Sequence, residues 1–133
     1  TRPWQYVLEP LRGYLMLAQK LNENVNKYST SFNFGPKNED IKPVKWIVEN
    51  MSNKWTGSEW SIDKSNHPHE EKYLSLNINK SKELLGWEPL WNLDKTISCI
   101  IKWHDSIDKL NMYKRSFDEI DSYEKYIIDH NYG

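Results

Sequence analysis

Cysteine is nearly absent from these 133 residues: Cys99 stands alone, so no disulfide can form within the chain. A reducing, cytoplasmic compartment is the expectation that follows. Glycine is almost as scarce. Gly13, Gly35, Gly57, Gly86 and Gly133 are spaced far too widely for a dinucleotide-binding fingerprint or a phosphate-cradling loop. No apolar run approaches the roughly 20 residues that a membrane-spanning helix needs, and no signal-peptide pattern is present. Charge of one sign is missing too, with 18 Lys and Arg against 19 Asp and Glu mixed along the chain. Nucleic acid and anionic membranes, which select basic stripes, are therefore not expected partners.

What the chain does hold is aromatic bulk, seven Trp, eight Tyr and three Phe, enough to build one sizeable core despite a mean hydropathy of −0.86. Its length suits one domain, residues 1–133. The opening "TRPWQYVLEPL" has no Met and enters a helical pattern almost at once, as expected for a piece of a longer protein.

Apolar spacing of three and four predicts a first helix over residues 3–21, with Val7, Leu8, Leu11, Tyr14, Leu15, Ala18 and Leu21 on it. "STSFNFGP" and "GSEWSID" read as short strands, and residues 73–78 alternate as a half-buried strand with Leu74, Leu76 and Ile78 on one side. A second helix is expected from Pro43 through Met51, a short one over "NKSKELLGW" capped at Asn79 and ending at Gly86, and a longer one from Asn92 with Leu93, Ile97, Ile100, Ile101 and Trp103 inward. Weaker helical spacing runs through Ile120, Tyr123 and Ile127. The expected class is α/β, a small unit mixing helices and short strands, too poor in strand for a doubly wound sheet.

Chemistry-bearing residues are few. His67 and His69 flank Pro68 beside Glu70, but that spacing is not the helical zinc pattern, and His104, His130 and Cys99 lie far away in sequence. No metal site is assigned; "HPHE" is either a solvated loop or a polar loop lining a ligand site. No Ser occupies a nucleophile-elbow sequence, and Cys99 falls within a helix, where burial makes it core. Most tryptophans sit inside periodic segments and read as packing. Arg2, just ahead of the first helix, is either an ordinary surface arginine or a guanidinium placed to grip a phosphate with two hydrogen bonds.

Taken in order, "RPWQYVLEPLRGYLMLAQKL", "FNFGP", "VKWIVENM", "HPHEEKYLSLNINKSKELLGWEPLWNLDKTISCIIKW" and the weaker "YKRSFDEIDSYEKYI" resemble the C-terminal portion of the CDP-glucose 4,6-dehydratase family. These enzymes are extended short-chain dehydrogenase/reductases. The resemblance implies a nucleotide-sugar-binding subdomain of an extended Rossmann-type enzyme whose Rossmann half, absent here, holds NAD and a catalytic Tyr-x-x-x-Lys pair. None of the eight tyrosines has a lysine four positions later, so no catalytic residue is assigned in this chain. It also implies a reaction in which hydride leaves sugar C4 for NAD, water is lost across C5 and C6, and hydride returns to C6.

On the same resemblance, Arg2 contacts the diphosphate, the loop of His67, His69 and Glu70 approaches the nucleoside end, and Glu70 accepts ribose hydroxyl hydrogen bonds. His67 stands where relatives often carry a second phosphate-contacting arginine. The implied substrate is CDP-glucose, the complete enzyme is implied to be a homo-oligomer, and family members feed deoxysugars of bacterial surface glycans. Two departures stand out: Tyr6 replaces a histidine usual after Trp-Gln, and Asn77 and Asn79 replace an Asp-x-Ser-Lys type sequence. A sister nucleotide-sugar dehydratase or epimerase, or a binding module without chemistry, are the competing readings.

Overall fold

The computed structural model describes residues 1–65, 73–105 and 111–130. Six helices and one two-stranded ladder are found among them, in the order β1 (Arg2–Pro3), α1 (Leu8–Glu23), α2 (Val25–Tyr28), a 3-10 turn (Asn38–Asp40), β2 (Ile41–Lys42), α3 (Val44–Lys54), α4 (Asn79–Leu85), α5 (Leu93–His104) and α6 (Met112–Asp129). The class is mixed α/β and mostly helical. β1 and β2 pair antiparallel, with Arg2 opposite Lys42 and Pro3 opposite Ile41.

The strands differ from expectation. "STSFNFGP", "GSEWSID" and residues 73–78 form no ladder, while β1 and β2 were not anticipated. An alternating segment becomes a strand only if another backbone edge satisfies its N–H and C=O groups. Here residues 73–78 run beside "FNFGP" but are tied to it by side chains. Asn33 Nδ2 donates to Asn77 O at 3.2 Å, Ser81 Oγ donates to Asn33 O, and Leu76 lies so close to Gly35 that an added Cβ there would sit 2.9 Å from the Leu76 Cβ. Trp60, in "GSEWSID", is 41% exposed.

The first helix starts five residues later than expected. Arg2 and Pro3 are held extended by the ladder, and Trp4 Nε1 and Gln5 Nε2 donate to Lys42 O and Phe34 O at 2.9 and 2.8 Å. Pro10 falls in the first turn, where its missing N–H costs nothing. The inward face also differs. Of the apolar residues that define the helix in sequence, Leu8 and Leu21 turn toward the core and Tyr14 lays its ring against Phe34, while Glu9, Arg12, Gly13, Met16 and Leu17 complete the inward face. Val7, Leu11, Tyr14 and Leu15 are 60, 46, 57 and 73% exposed.

The remaining helices lie close to where their sequences suggest. Pro43 stands one position ahead of α3, which runs on three residues past Met51, and Asn92 caps α5, its side chain accepting from Lys95 N at 3.0 Å. Gly86 ends α4 at φ 71°, a left-handed position that glycine adopts without penalty. That turn aims Trp87 inward, where it is wholly buried. Asn79 is the first residue of α4, not its cap; Asn77 Oδ1 accepts from Asn79 N at 2.9 Å instead. On α5, Leu93, Ile97, Cys99 and Ile101 are buried, and Ile100 and Trp103 half-buried.

Three apolar clusters make up the core. Tyr6, Trp91, Cys99 and Tyr123 join the entry of α1 to α5 and α6; Tyr28, Phe34, Leu85 and Trp87 join α1 to α4; Ile47, Leu93, Ile97 and Ile101 join α3 to α5. Gly13 makes the second possible. A Cβ there would lie 2.4 Å from Phe34 Cδ1, and the Phe34 ring is already wedged edge-on between Tyr14 and Trp87, with centroids 5.4 and 4.9 Å away. Gly13→Ala gains about 1 kcal/mol of helix propensity but forces a rigid ring out of place. Overpacking of that kind costs roughly 1–3 kcal/mol, so we expect urea unfolding to show net destabilisation. A second change, Phe34→Leu, should relieve much of it, whereas simple additivity of the two would contradict the contact.

Candidate functional site

Arg2 owes its position to the β1–β2 ladder. Directly opposed residues of an antiparallel pair project to the same face, so the Arg2↔Lys42 register puts both side chains on one face of the ladder, where Lys42 Nζ lies over the Trp46 ring, 5.5 Å from its centroid. Arg2 is half-buried, with Nη1 donating to Thr1 O at 2.9 Å. Lys42 had no signal in the sequence, because only the strand pairing brings residue 42 opposite residue 2. His67, His69 and Glu70 lie outside the described residues.

The segment that follows them, residues 73–79, borders a polar depression of about 490 Å³. Its walls include Lys37, Asn38, Ser75, Asn77, Lys82 and Glu88. Lys82 Nζ and Glu88 Oε2 form an ion pair at 2.8 Å, and that bond holds the Glu88 carboxyl below its ordinary range. Two ammoniums, one paired carboxylate and four neutral polar side chains, Asn79 being the fourth, share the lining with Pro36, Leu76, Ile78 and Pro89, a mixed surface that suits a ligand with polar or anionic groups.

Glu9 was also missed. This wholly buried carboxylate sits on the core face of α1, where Oε1 accepts from Trp91 N at 2.8 Å and Oε2 accepts from Leu90 N and Tyr123 Oη at 3.0 and 2.7 Å. Trp87 Nε1 donates to the Glu9 carbonyl at 3.1 Å. Both oxygens are thus occupied by structural donors, so Glu9 is a clamp for the "WEPLW" segment and α6, not an acid or base. Burial, then the bond to Glu9, pushes the Tyr123 hydroxyl well above its usual range.

Tyr6, which departs from the family pattern, is core as well. Its hydroxyl donates to Glu119 Oε2 on α6, its ring lies 5.0 Å from that of Trp91, and burial followed by the Glu119 bond raises its pKa. Beside it, Val7, Ile100, Trp103, His104 and Glu119 line a small pocket of about 180 Å³.

Asp40, in the 3-10 turn, accepts from Leu93 N at 3.0 Å and so anchors the start of α5. Burial raises its pKa from the ordinary 3.8, partly opposed by that hydrogen bond. The folded state therefore holds the proton more tightly than the unfolded state, and the contribution of Asp40 to stability is full at acid pH and falls as pH rises through its folded pKa. Asp40→Asn keeps an oxygen for Leu93. The stability of wild type minus variant should decline as pH rises through the unfolded carboxyl's range and on through the higher folded value, and a pH-independent difference in urea titrations would refute this.

A dinucleotide finds no fit among the described residues. The one ladder there is two residues long and antiparallel, Gly13 and Gly35 accommodate Phe34 and Leu76, and Gly86 serves a helix end. Nor do the described residues hold any group of three or more His, Cys, Asp or Glu side chains suited to a metal ion, or any helix long and apolar enough to cross a membrane.

No family model matches the chain. It is 48% identical over 104 residues to a curated protein of Salmonella typhimurium (strain LT2) named CDP-glucose 4,6-dehydratase, a stretch that makes up 77% of this chain and 29% of that relative. The chain thus spans less than a third of the relative's length. Through most of its own length, this chain is similar to the C-terminal portion of a CDP-glucose 4,6-dehydratase.

Proposed function

We propose that the chain is the nucleotide-sugar-binding part of an NAD-dependent CDP-glucose 4,6-dehydratase, residues 1–133 forming one binding unit of a longer, cytoplasmic enzyme. The 48% identity over 104 residues carries this reading. In the complete enzyme, the Rossmann half and its NAD belong to the rest of the polypeptide, and the product is CDP-4-dehydro-6-deoxyglucose. This chain alone would be inactive.

Its own part is positioning and water exclusion. Arg2, with Lys42 across the ladder, supplies charge and hydrogen bonds for the diphosphate. Glu70 accepts ribose hydroxyls, while His67 and His69 complete the nucleoside-facing loop. Holding the sugar in one orientation and keeping water from a reactive keto intermediate are contributions that need no catalytic side chain here.

Mass spectrometry of CDP-glucose incubated with the complete reading frame containing this chain tests the proposal, with UDP-glucose as control. Loss of one water from CDP-glucose alone is the expected result. Loss from UDP-glucose instead would point to a sister enzyme, and no loss from either, in folded NAD-loaded protein, would leave the binding-module reading.

A further inference from the structure

The ladder that carries Arg2 is too slight to fix a side chain by itself. It consists of two residue pairs, Arg2 with Lys42 and Pro3 with Ile41. Pro3 has no N–H, and the N–H of Ile41 is given to Asn38 O, so of these residues Arg2 and Lys42 alone keep a backbone donor for the pairing. Pro43, directly after β2, has none with which to extend it. Isolated two-stranded pairs are marginal in water even when they are longer than this.

Trp4 supplies what the ladder lacks. Its Nε1 donates at 2.9 Å to the carbonyl of Lys42, the residue directly opposite Arg2, while its half-buried ring packs on the cluster of Ile47, Leu93, Ile97 and Ile101 that joins α3 to α5. One side chain thus ties β1 to β2 and both strands to two packed helices. Next to it, Gln5 Nε2 donates to Phe34 O at 2.8 Å and holds the chain that leaves β1 against a second cluster. A binding side chain keeps its geometry when the residues beneath it are locked by packing and hydrogen bonds, and Trp4 provides both.

We infer that Trp4 is a positioning residue for Arg2: it sets affinity for the diphosphate by holding the backbone from which the guanidinium projects. This role rests on the reading above, in which Arg2 contacts the diphosphate. Without the indole N–H the strand pair opens more often, and an arginine that has to be ordered again on binding gives up part of its affinity. A diphosphate contact is made alike in ground and transition states, so the loss falls on the Michaelis constant and not on turnover.

A double-mutant cycle in the complete enzyme separates positioning from bulk stability. Trp4→Phe removes the N–H and keeps an aromatic ring; it should raise the Michaelis constant for CDP-glucose and the dissociation constant of CDP about 3- to 10-fold, with turnover unchanged within about twofold. In an Arg2→Ala background the same change should alter neither constant further. Trp55→Phe, the same truncation on the same apolar cluster at the far end of α3, should lower the urea midpoint and leave both constants as they are. Unaltered constants in Trp4→Phe, or effects of Trp4→Phe and Arg2→Ala that simply multiply, would overturn the inference while leaving the role of Arg2 intact. An Arg2→Ala variant that binds CDP as tightly as wild type would sink the reading of Arg2 and the role of Trp4 with it, as would a folded wild-type enzyme with no affinity for CDP.

Discussion

Glu9→Ala should lower the unfolding free energy by about 3–5 kcal/mol, the range for removing one member of a buried, fully hydrogen-bonded polar set. The loss is large because the donors remain. Without the carboxylate, Leu90 N, Trp91 N and Tyr123 Oη are left with no acceptor in a dry environment. Glu9→Gln separates shape from chemistry: one oxygen survives, so about 1–3 kcal/mol should be lost. Urea unfolding checks both, and a Glu9→Ala cost below about 1 kcal/mol, the scale of an ordinary surface change, would show that the clamp is not holding the "WEPLW" segment against α1 and α6.

In the complete enzyme, Arg2→Ala should raise the Michaelis constant for CDP-glucose about 10- to 100-fold, the equivalent of losing charged hydrogen bonds worth about 1.5–3 kcal/mol. The turnover number should change little, because a diphosphate contact is made alike in ground and transition states. Arg2→Lys keeps the charge and loses the planar fork, so it should recover only part of the affinity. Glu70→Gln and His67→Ala should act in the same sense. A fall in turnover with an unchanged Michaelis constant would contradict the assignment, as would Lys42→Ala proving silent while Arg2→Ala is severe, since the ladder places the two on one face.

Local signals in the sequence were reliable at Gly86 and Asn92, though not at Asn79, which the structure places inside α4. Gly86 stops α4 because a left-handed turn suits glycine, Asn92 caps α5 through its own side chain, and the spacing of Leu93, Ile97 and Ile101 puts them on the core face of that helix. The family resemblance was legible as well, and the 48% identity over 104 residues agrees with it.

Long-range pairing decided the rest. Alternation at residues 73–78 matches a strand, yet no backbone edge among the described residues meets it, while the two residues of β1 carry no pattern and pair because Lys42 and Ile41 come alongside. Period alone locates the helix of α1, but with apolar residues on both faces it cannot say which face turns inward. Packing chose the side with Gly13, where Phe34 approaches closely, and with Glu9, where three donors converge, leaving the more uniformly apolar side to solvent. Local spacing thus located the helices, and the quoted motifs carried the resemblance, because both depend on neighbours in sequence. Tertiary structure decided the clamp, the Arg2–Lys42 pair and the bare face of α1, because each depends on where groups distant in sequence come to lie.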